Sequence, residues 1–135
     1  ANLFNRDGGP TPPVGISVPK AMYDDFVEIC KPIKEINPEY PFEVTVAQPR
    51  KKPTTMGGTD ASVFAVKGVP TYGFREQDFK GYNFNYGEIW HTERDLYTKS
   101  IPEYMEHTSV VTAIVALGVA NLKHQLSREG MYTDQ

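Results

Sequence analysis

The 135 residues fit one domain with room for a core, and 39% hydrophobic with 23% charged residues is the balance of a folded chain, not a disordered one. A formal net charge of −3 excludes the broad basic footprint that a nucleic-acid backbone requires, and Arg50-Lys51-Lys52 is too short to supply it. The single cysteine, Cys30, excludes an internal disulfide framework and a cysteine-rich metal site.

No uninterrupted apolar run reaches the length of about 18 residues that marks a membrane span, and the start shows no basic and apolar leader pattern. The first residue is Ala1, inside what reads as a strand, so a fragment or processed product of a longer protein is expected.

Residues 2–6 are expected to form a short strand ending at Asp7, because Asp7-Gly8-Gly9-Pro10 is a strong turn signal. Val14, Ile16 and Val18 then share one face of a second strand. Pro19 suits a helix first turn, and Met22, Phe26, Ile29, Ile33 and Ile36 recur at three- and four-residue steps. Pro32 lies within that stripe and predicts a kink or break. Cys30 falls in the same apolar pattern and reads as a buried, inert thiol.

Residues 42–46 alternate as a strand. Residues 61–67 read as a short helix with Thr59 or Asp60 as N-cap and Gly68 as terminator, and residues 69–74 as a strand. Helix, tight turn and strand in that order suggest a parallel sheet. From Arg75 to Glu93 the chain is polar and aromatic, a long loop of the kind that is functional or disordered, and its aromatics argue against disorder. Ser100-Ile101-Pro102-Glu103 matches a capping box opening a long, largely buried helix that should end near Gly130. His107 and His124 both fall inside that predicted helix, which leaves His91 as the histidine in a loop.

Asp7, Asp60 and His91 each combine turn glycines or a loop with a polar residue at the end of an element. A carboxylate and an imidazole suit zinc, although two ligands alone do not make a site. On spacing alone, Asp7 as a turn cap and His91 as a structural residue remain the favoured reading.

The run Gly58-Thr59-Asp60-Ala61-Ser62-Val63-Phe64-Ala65-Val66-Lys67-Gly68-Val69-Pro70, then Trp90-His91-Thr92-Glu93-Arg94-Asp95, then Ile101-Pro102-Glu103-Tyr104 and the long helix resembles the C-terminal half of the dizinc exopeptidases. That family includes bacterial leucyl aminopeptidases and glutamate carboxypeptidase-like proteins. Asn5-Arg6-Asp7-Gly8-Gly9 is similar to the family's strand ending in an N-x-D-x-G type turn. The resemblance implies an α/β fold, part of a mixed, mostly parallel sheet flanked by helices, with residues 1–135 as the C-terminal part of a zinc peptidase catalytic domain.

Carried over by position, His91 would ligate one zinc and Asp7 would supply a carboxylate ligand. Asp60 would steady the neighbouring loop, although Ala61 stands where the family often has histidine. Asp95 would orient the His91 loop through hydrogen bonds, with Thr92 beside it as a further supporting residue. Tyr86 and Trp90 would line the substrate side. The family's H-x-D motif and Glu-Glu pair are both missing from this sequence, so the chain holds no catalytic residue of its own and is expected to be inactive alone. The resemblance further implies two zinc ions in the complete domain, a peptide substrate, a secreted, periplasmic or cell-envelope location, and pairing with the missing N-terminal half or self-association. Two rivals stand beside it: a glutaminyl-cyclase-like acyltransferase, which carries a similar Trp-His-Thr-x-x-Asp segment, and a non-catalytic interaction domain of the transferrin-receptor type.

Overall fold

Ile16 and Val18, both without exposed surface, place β1 (Pro13–Pro19) at the centre of a three-stranded sheet in the computed structural model, which describes residues 2–6 and 8–134. β2 (Glu43–Ala47) lies parallel to β1 with Ile16 opposite Val44, and β3 (Gly73–Glu76) lies antiparallel on the other side with Ile16 opposite Phe74. The sheet is therefore mixed α/β, as expected, but its β3 corrects the expected parallel arrangement. A parallel return would need a helix nearly as long as a five-residue strand, roughly 17 Å. The five-residue helix α2 (Ala61–Ala65) spans only about 7.5 Å, so the chain re-enters the sheet from the end where β2 left it.

Two further strand expectations are corrected. β3 starts at Gly73 and not at Val69, because Pro70 and Pro19 both lack the N–H needed to extend the β1–β3 ladder at that end. Residues 2–6 form no strand. They are held by side chains instead: Phe4 meets Phe74 edge to face at 6.5 Å, and the Tyr72 hydroxyl donates to the Leu3 carbonyl at 3.2 Å.

α1 (Tyr23–Ile36) follows a short 3-10 turn and buries Phe26, Cys30 and Ile33 against the sheet. Pro32 neither breaks nor ends it. The helix continues because the turns on both sides of the proline are fixed by core side chains, which offsets a local penalty of about 3 kcal/mol. Burial pushes the Cys30 thiol up to about 12, in keeping with an inert side chain.

α4 (Pro102–Ala120) packs on α1 through Val111, Val115 and Val119. It is the long helix expected, but it buries one face and is not largely buried, with Leu117 64% exposed on the other side, and the capping box is not made. The Ser100 hydroxyl donates to the Tyr97 carbonyl at 2.8 Å, and Glu103 is engaged by Lys80, Tyr82 and Tyr40, so neither half of the reciprocal cap is free. The helix also stops at Ala120 instead of near Gly130, and His124 lies outside it, 2.9 Å from Asp25. Turning back there lets Leu126, Met131 and Tyr132 reach the core, which a continued helix would carry past it. Among the described residues no helix is long and apolar enough to cross a membrane.

Gly118 marks the closest approach of the two helices. A Cβ there would sit 2.5 Å from Ile29 Cγ2 and 3.1 Å from Ile29 Cβ, an atom that rotation about χ1 cannot move. Gly118→Ala gains about 1 kcal/mol of helix propensity but overpacks a β-branched neighbour, and a net loss of roughly 1–2 kcal/mol is expected in urea unfolding.

His107 is buried on α4, stacked on Tyr40 at 4.0 Å, with the Asn37 amide 2.9 Å from Nδ1. With that amide as donor, the neutral ring carries its proton on Nε2. Desolvation by burial holds its pKa below the ordinary histidine value, although Pro13's carbonyl and Glu39 oppose the shift. The folded state thus binds this proton less readily than the unfolded chain. Stability contributed by neutral His107 is complete above the unfolded pKa near 6.5, falls as pH drops from there to the folded pKa, and levels off below it. Urea midpoints at pH 7.5 and 5.5 should differ in that sense, and His107→Gln should flatten the difference.

Candidate active-site cleft

The aromatic loop between β3 and α4 is ordered by one carboxylate. Asp78 accepts hydrogen bonds from the Tyr104 hydroxyl at 2.7 Å and from the amides of Tyr82 and Phe84 at 3.0 and 3.1 Å. The Tyr104 hydroxyl foremost, with the Phe84 amide, holds the Asp78 carboxyl below its usual pKa. The Tyr104 hydroxyl in turn accepts from the Lys80 amide at 2.9 Å. What reads from sequence as an irregular loop therefore arrives at a fixed place, and it contains one turn of helix, α3 (Tyr86–Ile89), capped by the Asn85 side chain on the Gly87 amide.

α3 delivers Trp90 and His91. His91 adopts φ +54°, in the left-handed region that histidine tolerates better than most side chains. Its ring stands edge-on to Trp90 at 4.7 Å and is exposed to solvent, with no hydrogen bond from the imidazole among the described residues. The loop is secured by Thr92, whose hydroxyl lies 3.0 Å from the carbonyls of Glu88 and Ile89 and accepts from the Arg94 amide at 3.2 Å. Asp95 contributes its backbone amide to the Thr92 carbonyl at 3.2 Å, and its carboxylate makes no hydrogen bond among the described residues.

A cleft of about 910 Å³ gathers these groups. Tyr86, Trp90, His91 and Asp95 line it from the aromatic loop, Gly58 and Thr59 from the turn before α2, and Gly8 and Gly9 from the turn before β1. Gly9 is in direct contact with this wall, since a Cβ there would lie 2.6 Å from Tyr86 Cδ2. Asp60 occupies the N-cap position of α2 without a capping hydrogen bond from its side chain, next to the cleft residue Thr59. Asp7 lies outside the described residues.

Glu76, which the sequence reading passed over, also lines the cleft. It ends β3, pairs with the guanidinium of Arg6, and accepts from the Thr11 hydroxyl at 3.4 Å. Burial raises its pKa, against the opposing pull of Arg6, the Gly9 amide and Thr11. A charged residue closing a predicted strand beside a glycine turn is the signal that could have found it.

The cleft opens where β3 ends and β1 begins. Only β3 therefore presents its carboxyl end to it, where a parallel sheet would present every strand. Among the described residues no group of three His, Cys, Asp or Glu side chains is gathered to hold a metal ion, so these residues alone do not amount to a metal centre. They supply one uncommitted imidazole, two carboxylates and an aromatic wall.

No family model, curated protein or solved structure matches the chain.

Proposed function

We propose that the chain is the C-terminal portion of a zinc-dependent aminopeptidase, contributing His91 to a metal centre completed by groups outside the described residues. One observation carries this reading. The turns at residues 8–9 and 58–59 and the Trp90–Asp95 segment, far apart in sequence, line a single cleft, and they are the stretches on which the resemblance rests. His91 presents an imidazole with no competing partner among the described residues, which leaves a nitrogen open to a metal; the partner that a ligand histidine takes on its other ring nitrogen would come from the complete domain. In the complete domain zinc would supply an activated water for hydrolysis of an N-terminal peptide bond. Tyr86 and Trp90, both exposed on the cleft, give the peptide an apolar and aromatic surface.

The sequence contains neither an H-x-D motif nor a Glu-Glu pair, so activity belongs to a complete domain and not to this chain alone. Mixing the chain with a polypeptide that carries both motifs should yield about two bound zinc ions per pair and release of N-terminal amino acids from aminoacyl substrates. A folded pair that holds zinc but leaves such substrates intact would refute the reading.

A further inference from the structure

We infer that Glu76 is a positioning residue for the cleft, its carboxylate clasping residues 8–11 so that the glycine turn stays fixed in the wall it shares with His91. The inference rests on the peptidase reading for its purpose, but its geometry stands independently.

Two side chains from a six-residue stretch meet this one carboxylate: the Arg6 guanidinium pairs with it, and the Thr11 hydroxyl donates to it at 3.4 Å. The Arg6 and Glu76 side chains are only 11% and 20% exposed, so the pair is shielded from the solvent screening that makes surface pairs nearly worthless. Arg6 is further held over the Phe74 ring at 5.5 Å. Gly8 lies directly on the clasp. A Cβ there would collide with Arg6 Nη1 and Glu76 Oε1, so the turn follows the pair's position closely. Gly9, on the other side, abuts Tyr86, which links the clasp to the aromatic loop. Glu76 itself is anchored by the β1–β3 ladder, where it is the partner of Pro13.

Hydrogen exchange on the full chain tests this, comparing wild type with Glu76→Gln and Glu76→Asp. Glutamine keeps the size and loses the charge, leaving Arg6 buried and unpaired, whereas aspartate keeps the charge and is one methylene shorter. An electrostatic clasp predicts that exchange across residues 8–11 quickens about tenfold in Glu76→Gln, that Glu76→Asp falls between it and wild type, and that α1 and α4 keep their protection. Wild-type exchange in Glu76→Gln overturns the clasp, as does Glu76→Asp exchanging faster than Glu76→Gln, which would mark a packing role. Loss of protection spread evenly over α1 and α4 overturns it too. Should Glu76→Gln not fold, Arg6→Lys, which keeps the charge but not the forked geometry, serves in its place, and unchanged exchange there counts against the clasp. Failure of the peptidase reading appears elsewhere, as aminoacyl hydrolysis that survives loss of His91, and leaves the exchange comparison intact.

Discussion

Replacing His91 in the complete domain should reduce aminoacyl hydrolysis on the order of a thousandfold, equivalent to about 4 kcal/mol of transition-state stabilisation, while the fold persists. The fold is spared because His91 is exposed and its ring supports no hydrogen bond among the described residues. The choice of replacement matters. At φ +54° alanine is less tolerant than histidine and would add a conformational penalty of about 1 kcal/mol, whereas asparagine accepts the left-handed region readily. His91→Asn is therefore the cleaner probe, and His91→Ala should lose activity equally while unfolding at slightly lower urea. Steady-state assays with parallel urea curves decide the matter; full activity in either variant would remove His91 from the site.

The largest effect on stability is expected at Phe26. It is fully buried between the sheet and α4, its ring 4.7 Å from Tyr72 and within the cluster that includes Ile16, Val18, Val111 and Val115. Truncation to alanine removes the ring from both layers at once and leaves a cavity that neither α1 nor β1 can close without giving up its own contacts. A loss of about 3–5 kcal/mol follows, comparable to much of the stability of a domain this size. Urea unfolding at 25 °C measures it, and a loss below about 1 kcal/mol would mean that the core is organised around other residues.

The periodic elements were legible because burial imposes a period on them. Ile16 and Val18 alternate in β1, and Phe26, Cys30 and Ile33 repeat helically in α1, and these side chains point inward in the structure, although Ile36 at the end of the predicted stripe is exposed. What was not legible depends on contacts distant in sequence. The direction of β3 follows from the shortness of α2, and the early end of α4 from the return of Leu126, Met131 and Tyr132 to the core. The failed capping box has the same origin, since Glu103 is claimed by Lys80 and Tyr82 more than twenty residues earlier. At the cleft, the Trp90–Asp95 stretch stood out by residue type. Glu76 and Asp78 did not, because a lone carboxylate in a polar loop looks like a solvated one until its donors are seen.

The closing stretch of the chain also fixes an order of events. The Leu126 amide bonds to the Asn2 side chain across 124 positions, and Arg50 forms an isolated parallel bridge with Tyr132. Contacts of such separation are the last to form, because the intervening chain must already be compact before they become favourable. A nascent chain still holding residues 126–132 inside the ribosome tunnel would therefore leave the core open at that corner, and the molecule would lock shut only once those residues have emerged.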